Sequence, residues 1–282
     1  MSAAPTAGAG TAARVREAIR VANADGRAAL VVYLPAGYPD LVTSRACLEA
    51  AAEAGADLLE VGFPYSDPLM DGPTIQLANQ VALDQGLTPR DDFAMCAQLA
   101  GRVGAPALVM TYFNLAWHYP PAPAGAEPGG IDGFAADARA AGLAGAILPD
   151  LPVEEAGPWR AVAERHELAT VFLAAPTSTD ARLAALADAS TGFVYATSTL
   201  GVTGERQTLS GMAAPLVERL RSVTDKPVCV GIGVTTPAHA TEVAGFADGV
   251  IVGSAVVEAA GRGGPEAVRD LVASLARGCR RG

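Results

Sequence analysis

A chain of 282 residues that is half apolar and only 18% charged can bury a large core and is not the composition of a disordered segment. Its formal net charge of −10 repels nucleic acid and anionic lipid, so neither is expected as a partner, and an anionic substrate must be held locally by backbone N–H groups and helix ends. The four cysteines form no C-x-x-C pair and no histidine stands at metal-ligand spacing from them, which predicts free thiols, no metal site and a cytoplasmic setting.

Residues 1–13 begin with MSAAPTAGAGTA, small residues without the basic start or apolar stretch of a signal peptide, and are expected to form a flexible tail. No run of about 18 apolar residues follows that could span a bilayer. Eight short apolar runs read as strands: Ala29–Leu34, Asp57–Gly62, Ala107–Tyr112, Ala144–Pro149, Thr170–Ala174, Gly192–Thr197, Pro227–Gly231 and Asp248–Gly253. Most are continuously apolar, the pattern of parallel strands covered on both faces. Amphipathic helices are predicted between them over Leu41–Ala54, Gly133–Ala141, Glu154–His166, Asp180–Ala189, Ala213–Val223 and Pro237–Ala244. The polar-turn-rich stretch Asp67–Gly86 has room for an extra helix, and the Pro/Gly-rich Trp117–Gly130 reads as a loop. Eight repeats of strand then helix predict a single-domain (β/α)₈ barrel over residues 14–277, with a flexible tail at 278–282. An open, doubly wound sheet is the alternative.

In such a barrel, function sits at the C-terminal ends of the strands. Glu60 lies inside the apolar run DLLEVG, where an ionised carboxylate is costly to bury. It has either a structural partner or a raised pKa suited to proton transfer. Asp71, in the following FPYSDPLMDGPTIQ, alone reads equally well as an ordinary Asp-Gly-Pro turn. As a pair they fit an arrangement in which one carboxylate moves protons and the other holds charge. The last three of the predicted barrel strands end in glycine turns, Gly201–Gly204, Gly231–Gly233 and Gly253–Ser254, where backbone amides can approach a phosphate. Tyr33, Tyr112, Asp150 and Tyr195 stand at other strand ends, and each tyrosine is equally readable as a core residue with its hydroxyl satisfied.

These blocks carry a resemblance. LLEVGFPYSDPLMDGPTIQLA resembles the signature of tryptophan synthase alpha subunits. LVVYLPAGYPD, LVMTYFN, GAILPDLPVEE, APTS, GFVYATSTLGVTG, VCVGIGV and DGVIVGSAVV are similar to further blocks of that family, in its order, over about residues 14–260. The resemblance implies a lyase of tryptophan biosynthesis that cleaves indole-3-glycerol phosphate by a retro-aldol reaction to indole and glyceraldehyde 3-phosphate. It implies that Glu60 moves the protons, that Asp71 accepts the indole N–H, and that Tyr195 stands beside the glutamate. Gly204, Gly233, Gly253 and Ser254 would cradle the phosphate, and Thr203 would order Asp71 on closure. Tyr33, Tyr112, Ile232 and Ile251 would line the indole slot. No metal or organic cofactor is implied for this chain, since pyridoxal phosphate belongs to the family's beta subunit in an αββα assembly. Two departures stand out. Tyr33 and Ile232 occupy positions where many relatives carry phenylalanine, and Trp117–Gly130 is longer and richer in proline than the family pattern, near where that family meets its beta subunit. A free-standing lyase releasing indole and a non-catalytic allosteric paralogue are the alternative functions.

Overall fold

The computed structural model describes residues 11–121, 129–197, 209–231 and 233–281. Among them nine parallel strands form one sheet: β1 (Ala29–Pro35), β2 (Leu58–Gly62), β3 (Ala107–Met110), β4 (Gly145–Ile147), β5 (Ala169–Val171), β6 (Leu173–Ala174), β7 (Val194–Ala196), β8 (Val228–Gly231) and β9 (Gly249–Val252). Their hydrogen-bonded order is β5-β4-β3-β2-β1-β9-β8-β7-β6. Only Phe172 separates β5 from β6, so the two ends of that order are one continuous run of chain. Its first half pairs with β4 and its second with β7, which closes the sheet into the (β/α)₈ barrel. The fifth strand expected as one piece is thus divided at Phe172. There the amide N–H turns to the Ser190 hydroxyl at 3.2 Å, while the carbonyl accepts from the Tyr195 N–H at 3.1 Å.

Strand alternation sorts the core into two layers. Val31, Leu58, Leu108, Phe193, Cys229 and Ile251 fill the barrel interior. Leu30, Val32, Leu59, Val61 and Val109 face outward and pack under the surrounding helices. The helix Thr11–Ala24 adds Val15 and Ile19 to the interior cluster and stops the barrel at the N-terminal ends of its strands. The expected tail of residues 1–13 therefore gives way to helix at Thr11, because that helix has an apolar stripe to bury.

The tail expected at 278–282 is tied down by hydrogen bonds as far as Arg281. Cys279 is fully buried, and its carbonyl accepts from the Ala28 N–H at 2.9 Å. The Arg281 guanidinium donates to the carbonyls of Ala244 (3.0 Å), the last residue of the helix Pro237–Ala244, and of Ala247 (2.8 Å) just beyond it.

The extra helix within Asp67–Gly86 is Pro73–Asp84, begun by a proline in its first turn. Helices at Pro89–Ala100, Phe113–Trp117 and Ser254–Gly278 complete the layer beyond those predicted. The base of the Trp117–Gly130 segment is pinned: Gly130 N–H donates to Tyr119 O at 2.7 Å, and Arg90 donates to the carbonyls of Pro120 (3.0 Å) and Pro121 (2.8 Å). All four cysteines are free and buried. Among the described residues no helix is long and apolar enough to cross a membrane.

Candidate active site

Glu60 lies in β2 opposite Tyr33 of β1 and Leu108 of β3. It shares the inward face with Leu58, one layer nearer the C-terminal mouth. The side chain is fully buried, and among the described residues neither carboxylate oxygen has a hydrogen-bond partner. Burial pushes its pKa up to about 8. The group is therefore an undissociated acid at neutral pH and not an orphaned anion.

Asp71 precedes Gly72, the N-cap of the helix Pro73–Asp84. Gln76 fixes its backbone by donating Nε2–H to the Asp71 carbonyl at 2.8 Å. Its carboxylate takes hydrogen bonds from Asn79 Nδ2, at 3.4 Å, and from the Tyr112 hydroxyl. The same phenol oxygen accepts from the Met70 N–H at 2.8 Å, so Tyr112 ties down both ends of the Met70–Asp71 turn. Burial raises the Asp71 pKa to about 6 against the opposing pull of Tyr112 and Asn79. The Tyr112 ring is itself held by stacking on Tyr65, with centroids 4.9 Å apart.

Tyr33 and Tyr195 complete the cavity. Both phenols are pushed well above their ordinary pKa, first by burial and then by the negative charges of Glu60 and Asp71, among others. Each is seated by a glycine at the end of a neighbouring strand. A Cβ on Gly62 would lie 2.4 Å from Tyr33 Oη, and one on Gly231 would lie 2.2 Å from Tyr195 Oη. Gly231, the first residue of the expected turn Gly231–Gly233, makes room for a tyrosine ring. Gly231→Ala is expected to force that ring aside and to lower stability by about 1–3 kcal/mol, read as a lower midpoint of thermal unfolding together with loss of turnover.

The other predicted residues fall at the same mouth. The register Gly231↔Ile251 carries Gly233 and Gly253 to adjacent strand ends. Gly233 adopts φ of +55°, a conformation that favours glycine. Gly253 is the N-cap of the helix Ser254–Gly278 and supplies no side-chain cap; its carbonyl accepts from the Val256 and Val257 N–H groups at 2.8 and 3.0 Å, which leaves those of Ser254 and Ala255 ahead of the helical ladder. A Cβ on Gly253 would lie 3.3 Å from the Tyr33 ring, which joins this helix end to the carboxylate cavity. Ile251 is buried in the interior cluster. Thr203, Gly204 and Ile232 lie outside the described residues. Among the described residues no group of three His, Cys, Asp or Glu is placed to hold a metal ion.

Asn79 is the site residue that sequence reasoning passed over. It is 3% exposed and its Oδ1 is unpartnered among the described residues. The signal was there: Ile75, Ala78, Asn79 and Ala82 form a helical stripe in which one member is polar.

The family model described as tryptophan synthase alpha chain matches residues 19–278. The chain is 48% identical over 274 residues to the tryptophan synthase alpha chain of Streptomyces avermitilis, covering 94% of each. To that of Mycobacterium avium it is 48% identical over 269 residues, 95% of each. It superimposes on a tryptophan synthase structure from Mycobacterium tuberculosis with a TM-score of 0.86 at 47% identity, covering 95% of this chain and 99% of that one. With the alpha chain from Legionella pneumophila the TM-score is 0.81 at 29% identity, over 94% and 97% of the two chains. A closed barrel, two acidic carboxyls sharing one mouth, and identity sustained along nearly the whole length agree: the chain belongs to the tryptophan synthase alpha chain family, carbon–carbon lyases that cleave indole-3-glycerol phosphate in tryptophan biosynthesis.

Proposed function

We propose that Glu60 is the proton shuttle of this cleavage and Asp71 the anchor of the indole nitrogen. The observation that carries the reading is a fully buried carboxyl at the mouth of the barrel, unpartnered among the described residues, with a second, ionisable carboxylate reaching the same cavity. Protonated Glu60 gives its proton to C3 of the indole ring. Positive charge then develops on the ring nitrogen, whose N–H is held by the Asp71 carboxylate. Ionised Glu60 takes the proton of the side-chain hydroxyl next to the ring. As the C–O bond becomes a carbonyl, the C–C bond breaks and its electron pair returns to the ring. Indole and glyceraldehyde 3-phosphate leave, and Glu60 is protonated again. Tyr195 steadies the glutamate. Gly204, Gly233, Gly253 and Ser254 hold the phosphate, Thr203 orders Asp71, and Tyr33, Tyr112, Ile232 and Ile251 wall the indole slot. The uncapped helix start at Gly253 supports the phosphate assignment.

The chain acts as the alpha member of an assembly with a beta chain. Leu69, Met70, Leu77 and Trp117 support this: large apolar side chains, all more than half exposed, on the segments that follow β2 and β3. Exposed apolar side chains of that size suit a protein partner. Pyridoxal phosphate belongs to that partner, and the steps above require only groups of this chain.

The scheme needs Glu60 protonated and Asp71 ionised. Turnover is therefore expected to rise with pH through about 6 and to fall above about 8. Indole release measured from about pH 5 to 9, with the chain alone and mixed with a beta chain, checks both parts. A profile without the alkaline fall would remove Glu60 as the acid. Full turnover without the beta chain would replace the subunit reading with a free-standing lyase.

A further inference from the structure

Tyr33 has so far served only as a wall, yet its placement is that of a working group. It faces Glu60 directly across the β1–β2 register, on the same inner side of the barrel, and is 5% exposed. Its hydroxyl is held over the end of β2 because Gly62 has no Cβ to exclude it. Among the described residues this hydroxyl makes no hydrogen bond, and neither do the two Glu60 oxygens. Buried phenols and carboxyls normally have partners. Here a buried carboxyl without a partner among the described residues stands at matching register with a phenol on the adjacent strand.

The groups that surround Glu60 explain why a donor is needed. Tyr33 of β1, Tyr195 of β7 and Cys229 of β8 all feel the charge of Glu60, and Asp71, from the segment after β2, acts on both tyrosines. None is a cation. When Glu60 has passed its proton to the substrate, the donors that these described residues offer to the charge left behind are neutral. The two phenols keep their protons throughout, since burial and the nearby carboxylates hold both well above the ordinary phenol range.

We infer that Tyr33 is a second phenolic positioning residue for Glu60, matched with Tyr195, whose hydroxyl donates to the carboxylate once the glutamate proton has moved to the ring. The inference rests on the shuttle role of Glu60. Tyr33 itself gains and loses no proton.

The test is Tyr33→Phe in the full chain, assayed with a beta chain present. Removing one oxygen leaves the ring to fill the slot. A hydrogen bond to a charged group is lost only where the charge exists, so kcat is expected to fall about tenfold with KM changed less than about twofold. Without the donor the carboxylate is less stable, so the alkaline limb of the kcat profile is expected to move up by about one pH unit. Carbon-13 NMR of labelled Glu60 in the free chain is expected to show its titration midpoint moving the same way. An unmoved limb and midpoint, or a rise in KM alone, would overturn the inference and return Tyr33 to the wall of the slot. Failure of the shuttle reading is separable: near-normal turnover in Glu60→Gln removes the shuttle and this inference with it, whereas an intact shuttle with a silent Tyr33→Phe removes only the inference.

Discussion

Glu60→Gln is expected to lower kcat by at least about 10³-fold while leaving affinity for a substrate analogue within about twofold. The amide has the shape of the neutral acid and no proton to give, so C3 stays unprotonated and the ring cannot accept the electron pair of the breaking bond. Single-turnover indole formation and equilibrium binding, measured on one preparation, separate the two effects. Near-normal turnover in this variant would remove the shuttle role. Stability should move the other way. Glu60 has an ordinary pKa of 4.5 and titrates near 8 in the folded chain, so between those values the native state holds a proton that the unfolded state has released. Stability contributed by this group is present below about pH 4.5 and is lost progressively as pH rises to about 8. Glu60→Gln is thus expected to unfold at higher denaturant than the parent at alkaline pH, and at the same denaturant near pH 4.

Asp71→Asn is expected to cost about 10²–10³-fold in kcat, the usual effect of losing one group aimed at developing charge. The amide oxygen can still accept the indole N–H, so binding survives better than turnover. The pH profile distinguishes this loss from a general defect. With no carboxylate to ionise near pH 6, the acid limb should vanish while the alkaline limb set by Glu60 remains. Retention of the acid limb would assign it to another group.

Much of this architecture is legible in the sequence, and the exceptions have physical causes. The continuous apolar runs mark the strands because a parallel barrel buries both faces of each. The division at Phe172 leaves no trace in TVFLA, because its cause is the Ser190 hydroxyl, 18 residues later in the chain. The ending CRRG looks like a polar tail, yet Cys279 is buried and Arg281 is held by carbonyls that only the folded helix ends bring near. Glu60 announces itself as a charge in an apolar strand. The space Gly231 leaves for Tyr195 is not legible, because a glycine beside a tyrosine from the next strand reads the same as one beside an anion. Asn79 was visible as the polar member of an apolar stripe, but its meaning depends on Asp71 lying across from it.

The helix Thr11–Ala24 has a consequence for traffic. With Val15 and Ile19 seated in the interior cluster, the described residues close the floor of the barrel and leave its working mouth at the other end. Substrate must arrive, and both products must depart, past the same rim that carries Glu60, Asp71 and the exposed Leu69, Met70 and Trp117. Whatever protein rests on that rim therefore sets the route by which indole leaves, without touching either carboxylate.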